Sequence, residues 1–160
     1  MDFEQRLERA IERGRRQSQN EAQTAAQQAM NEEQARRLHT KYRLELCDYI
    51  ERCLKRLPDY FPGFRFESIA SDGSWGAAVS RDDVHRSEGG RANAFSRLEV
   101  TIRPYHPYQV IEIAAKGTIR NKEVFSRNQF QRLAQVDTHT FMEVIDQWTI
   151  EYAELYAAKT

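Results

Sequence analysis

Arg97-Leu98-Glu99-Val100-Thr101-Ile102-Arg103 alternates charged or hydroxyl side chains with branched apolar ones. Successive side chains of a strand point to opposite faces, so this stretch reads as a half-buried strand with Leu98, Val100 and Ile102 inside. Pro104-Tyr105-His106-Pro107-Tyr108 then turns the chain. Ile111, Ile113, Ala115, Gly117 and Ile119 form one face of a second strand, against Glu112, Ala114, Lys116, Thr118 and Arg120. Asn121-Lys122 is expected to turn into a last strand holding Val124 and Phe125. Upstream, the runs 64–71 and 74–80 flank Asp72-Gly73, a pair that tolerates the positive φ of a two-residue hairpin turn. The polar segment from Arg81 to about Asn93, with Gly89-Gly90 inside it, reads as a loop. Strands this close in sequence must be mostly antiparallel, because a parallel crossover needs about a dozen residues or more. The middle of the chain is therefore a five-stranded antiparallel meander.

Helical patterns flank it. Leu38, Tyr42, Leu46, Tyr49, Cys53 and Leu57 recur at steps of three or four, with Ile50 and Leu54 widening the stripe, and Pro58 closes this helix. Near the other end, Asp137 and Thr138 are candidate caps for a helix carrying Phe141, Ile145, Trp148, Tyr152 and Leu155 on one face, bordered by Val144 and Tyr156. The expected fold is α+β: a long N-terminal helix, the meander, and a C-terminal amphipathic helix packed on the sheet.

The remaining residues precede Leu38. From Glu12 to Arg37 the only apolar side chains are alanines and Met30, set among Gln, Glu and Arg, all good helix formers. A continuous helix over residues 2–57 would run to about 85 Å, more than a single small domain can cover. Residues 1–37 are thus expected to be a polar helical extension that projects, pairs with another chain, breaks near Gly14, or is partly disordered. Residues 38–160 form the single α+β domain.

The 160 residues carry 24 basic and 24 acidic side chains. Neutrality excludes a chain that binds nucleic acid or membranes by bulk charge. No apolar run approaches the roughly 20 residues of a membrane span, and the first residues lack a signal-peptide core, so a cytoplasmic chain is expected. Cys47 and Cys53 are too far apart along one helix for a disulfide and complete no zinc pattern; buried free thiols are expected.

No catalytic or phosphate-binding motif is present, no catalytic residue is assigned, and neither a cofactor nor a metal is implied. Asp82, Asp83, His85 and Glu88 cluster in the polar segment but match no calcium loop; a solvated loop is the plainer reading. His39 and His139 are placed as ordinary surface histidines. Arg13, Arg15 and Arg16 are the candidate anion-binding residues, able to meet phosphates. However, Glu4, Glu8 and Glu12 share that segment and no aromatic ring accompanies it, so specific nucleic-acid recognition is disfavoured.

Two features fit partner binding. Phe3, Leu7, Ala10, Ile11 and Gly14 gather on one side of a helix, with glutamates and arginines in separate sectors, ahead of a stretch too polar to bury them. Tyr105, His106 and Tyr108 stand on a proline-stiffened loop, where rigid rings anchor a partner at low entropic cost. The leading expectation is a non-enzymatic interaction module, self-associating like a coiled coil or docking to a protein partner through the N-terminal helix. The alternatives are a small-molecule binder or enzyme with a pocket between sheet and helices, lined by Trp75, Tyr49, Trp148 and Tyr152, and weak phosphate-backbone binding through the arginines.

Overall fold

The computed structural model describes residues 2–28, 31–87 and 90–159. In chain order these form helix α1 (Phe3–Gln28), helix α2 (Glu32–Leu54), the short helix α3 (Leu57–Tyr60), strands β1 (Arg65–Ser71), β2 (Ser74–Ser87), β3 (Gly90–Ile102), β4 (Val110–Ile119) and β5 (Lys122–Arg132), a single 3-10 turn (Leu133–Gln135), and helix α4 (Thr138–Lys159). The sheet order is β1-β2-β3-β4-β5, every pair antiparallel. No helix among the described residues is long and apolar enough to cross a membrane.

The strand alternation works as expected where the sheet is covered. Leu98, Val100 and Ile102 are buried, as are Ile111, Ile113, Ala115 and Ile119. Asp72 and Gly73 both have positive φ, the geometry required at both centres of a tight hairpin turn. The next turn lies one residue earlier than expected: Arg120 and Asn121 have positive φ and Lys122 already opens β5.

Three strands, β2, β3 and β5, are longer than their apolar pattern. In the segment expected to be a loop from Arg81 to Asn93, residues 81–87 and 90–93 instead belong to strands β2 and β3, whose pairing runs from Trp75↔Ile102 out to Ser87↔Gly90; Glu88 and Gly89 lie outside the described residues. Strand β5 likewise runs to Arg132, well past Val124 and Phe125. Backbone ladders form without large apolar side chains, and the covered positions Ala94 and Ser96 of β3 carry only small ones, so hydropathy does not mark the extent of the strand.

The helices also differ in detail. Helix α1 passes through Gly14 without a break, and a new helix starts at Glu32, where Asn31 Oδ1 accepts a hydrogen bond from the Gln34 amide at 2.8 Å. Helix α2 ends at Leu54, before Pro58; the proline sits in the first turn of α3, where its missing N–H is not needed. The fully covered side of α2 is Ala35, His39, Leu46, Ile50 and Leu54, while Leu38, Tyr42, Tyr49 and Cys53 are half-buried at its border. The packed body thus reaches back to Ala35. At the other end Asp137 caps α4 as expected, Oδ1 accepting from the His139 amide at 3.0 Å.

Helices α2 and α4 cover one face of the sheet. Phe141, Ile145, Trp148, Tyr152 and Tyr156 of α4 join the α2 residues and the inward faces of β2, β3 and β4 in one core. The opposite face carries Glu67, Arg97, Glu99, Glu112, Lys116 and Phe130, whose positions follow from the strand registers. Arg97 there contacts Glu67 at 2.5 Å and Glu99 at 3.4 Å.

Candidate functional site

Helix α1 has no side chain covered by the rest of the chain from Asp2 to Thr24. Its large apolar residues are open to water, Phe3 by 73%, Leu7 by 47% and Ile11 by 47%. Ten residues of the same segment are charged: Asp2, Glu4, Glu8, Glu12 and Glu21, and Arg6, Arg9, Arg13, Arg15 and Arg16. The candidate anion-binding arginines are exposed as well, but only Arg13 and Arg16 share a side of the helix; Arg15 points away from both, and Arg16 Nε pairs with Glu12 at 3.3 Å.

The second candidate, the loop from Pro104 to Gln109, is held between β3 and β4. The Arg103 amide donates to the Glu112 carbonyl at 2.9 Å, and His106 bridges to Val110. Gln109 takes a positive φ where the loop turns into β4. His106 and Tyr108 stack with ring centroids 4.5 Å apart, and His106 Nδ1 accepts from the Tyr108 amide at 3.2 Å. Tyr108 remains 82% exposed. This loop forms one wall of a groove of about 1290 Å³ whose lining includes Arg103, Tyr105, His106, Tyr108, Phe130 and Arg132. Phe130 is itself an exposed ring. Arg103 lies 3.6 Å from Glu112. The sequence signal identified Tyr105, His106 and Tyr108; Phe130 and Arg132 joined them only because β5 runs beyond its apolar residues.

Tyr105 does not share the exposure of its neighbours. Its ring packs edge-on against His39 with centroids 5.8 Å apart, and the Arg36 guanidinium lies over it at 4.5 Å. His39 is thereby buried, 4% exposed, contrary to the expected surface position. A histidine on the border of an apolar stripe is indistinguishable in sequence from a surface one; the returning loop covers it. Burial lowers the His39 pKa, opposed by a hydrogen bond with the Arg103 backbone, and Arg43 lowers it further. Its Nε2 and the Arg43 Nε are buried without hydrogen-bond partners among the described residues. His139 is the exposed histidine expected, 3.1 Å from Glu143.

The residues proposed to line an internal pocket are occupied otherwise. Tyr152 packs against Phe64, Phe125 and Tyr156, and Trp148 is a core residue. Trp75 lies 4.2 Å beneath the Arg43 guanidinium. Tyr49 donates its hydroxyl to Asp146 Oδ1 at 2.6 Å, and Cys53 Sγ reaches the same oxygen at 3.5 Å. That bond, then burial, raises the Tyr49 pKa far above its usual value. Cys47 and Cys53 are free, half-buried thiols, each pushed up to about 11 chiefly by burial.

Within the acidic segment of the β2–β3 hairpin, Asp83 pairs with Arg81 at 2.8 Å, whereas Glu88 and the His85 side chain lie outside the described residues. Among the described residues no three His, Cys, Asp or Glu side chains gather as metal ligands. In comparisons with known proteins, no family model, no curated protein and no solved structure matches the chain.

Proposed function

We propose that the chain is a non-enzymatic interaction module in which α1 mediates self-association or docking and residues 38–160 supply the rigid body. The observation that carries this reading is the uncovered edge of Phe3, Leu7 and Ile11, spaced four residues apart on a 26-residue helix. Such spacing is how an amphipathic helix presents anchors to a groove or to another helix. The groove bounded by the Pro104–Gln109 loop offers a second contact surface, since exposed Tyr108 and Phe130 and the nearby Arg103 and Arg132 are the residue types that concentrate binding energy. Free half-buried thiols accord with a reducing, cytoplasmic setting.

The alternatives have less support. A small-molecule pocket between sheet and helices would need the space that Tyr152 and Trp148 fill. Phosphate-backbone binding would need Arg13, Arg15 and Arg16 to face one way. The test is sedimentation velocity of the full chain and of a Phe3→Ser, Leu7→Ser, Ile11→Ser variant. The expected result is a concentration-dependent dimer or higher assembly that the variant loses while its far-ultraviolet circular dichroism shows the body still folded. A parent that stays monomeric at every concentration rules out self-association.

A further inference from the structure

We infer, resting on that reading, that α1 pairs side by side and in parallel with α1 of a second copy. The argument lies in the order of side chains around the helix. At about 100° per residue, Phe3, Leu7, Ala10, Ile11 and Gly14 fall in one sector centred near Leu7. Glu4, Glu8 and Glu12 lie roughly 100–180° round from Phe3, and Arg6, Arg9 and Arg13 roughly 240–300° round. From Phe3 to Gly14 the apolar edge is therefore flanked by acid on one side and base on the other; Arg15, at about 120°, falls on the acidic side just beyond this stretch. Glu4, Glu8, Arg6, Arg9 and Arg13 make no ion pair among the described residues. Their charges are available to a partner.

Symmetry then decides the direction. When two identical helices face each other about a two-fold axis parallel to them, the acidic flank of each lies beside the basic flank of the other. When the two-fold axis is perpendicular, acid meets acid and base meets base. Opposite charges across a helix pair stabilise it and like charges oppose it, so the pattern selects the parallel arrangement. A second copy is the partner that this edge fits, because each copy carries both complementary flanks. Gly14 stands in the apolar sector with nothing within 4 Å of a Cβ built on it, so it leaves room for close approach. Parallel pairing also places both bodies at the same end, presenting two copies of the Pro104–Gln109 groove together, an arrangement suited to bivalent binding. The edge offers three large apolar side chains per copy, so the pair is expected to be weak and the assay must reach high concentration.

Gly14→Cys tests the direction. In the parallel pair the two substituted residues lie opposite each other, within the Cα range that a disulfide bridges. In an antiparallel pair centred on Leu7 they stand about 21 Å apart along the axis. The full-length variant is oxidised at assembling concentration alongside the parent, whose native thiols provide the control, and the parent's dissociation constant is measured in 0.05 and 0.5 M sodium chloride. The expected result is a disulfide-linked dimer specific to the variant, with affinity of the parent falling about threefold at high salt as flank attraction is screened. A parent that assembles while the variant forms no cross-link, or that tightens with salt, overturns parallel pairing and leaves self-association standing. A parent that remains monomeric overturns both.

Discussion

Removing the Asp146 carboxylate tests whether one polar contact holds the two helices together across the body. Tyr49 of α2 donates to Asp146 of α4 at 2.6 Å and Cys53 reaches the same oxygen at 3.5 Å. All three side chains are half-buried. A hydrogen bond to a charged group contributes about 1.5–3 kcal/mol; partial exposure places this one near the low end, and the thiol adds little. Asp146→Ala should therefore cost about 2 kcal/mol, leaving the phenol without its acceptor. Over a body of roughly 130 residues that corresponds to a fall in Tm of about 7 °C. Tyr49→Phe, which leaves the carboxylate hydrated, should cost about 1 kcal/mol. Urea unfolding of the two single variants and the double variant closes a thermodynamic cycle, with an expected coupling of about 1 kcal/mol and unchanged urea slopes. Coupling below about 0.3 kcal/mol would show that phenol and carboxylate act independently and would refute the reasoning.

His39 has its pKa lowered in the folded state from an ordinary value of 6.5. As pH falls through that value the unfolded chain takes up a proton that the folded chain refuses, so stability declines until the folded pKa is reached; well above the ordinary value His39 contributes no pH dependence. His39→Phe, which keeps a ring against Tyr105, should flatten this decline in urea titrations at stepped pH, and an unchanged slope would contradict the burial argument. Gly76 permits close strand contact: a Cβ there would stand 2.0 Å from the Val100 carbonyl oxygen and 2.8 Å from Thr101 Cα. Because those atoms belong to the paired β3 backbone, Gly76→Ala should cost about 3 kcal/mol or more by urea unfolding, and a near-neutral substitution would show that the ladder yields.

Legibility followed solvent contrast. Leu98, Val100, Ile102 and the isoleucines of β4 announce their strands because one face is covered and the other wet, and Asp72-Gly73 announces its turn because few residues accept positive φ. Where that contrast ends, so does the signal. The outer β2–β3 hairpin reads as loop and β5 is truncated to Val124 and Phe125, because backbone ladders need no large apolar side chains and the buried Ala94 and Ser96 give no hydropathy signal. The exposed loop rings were legible as a group, yet their environments were not: Tyr105 is pinned between His39 and Arg36, while Tyr108 stands open.

By itself, then, the sequence determined the α+β class, the antiparallel order and the amphipathic edge of α1, since each depends on periodicity and local backbone chemistry. Only the tertiary structure decided which side of α2 is covered, that His39 is interior, that Tyr49 and Asp146 meet, and that Phe130 and Arg132 join the Pro104–Gln109 loop in one groove. Those outcomes depend on contacts between residues remote in sequence, and a local pattern carries no record of which distant element will return to cover it.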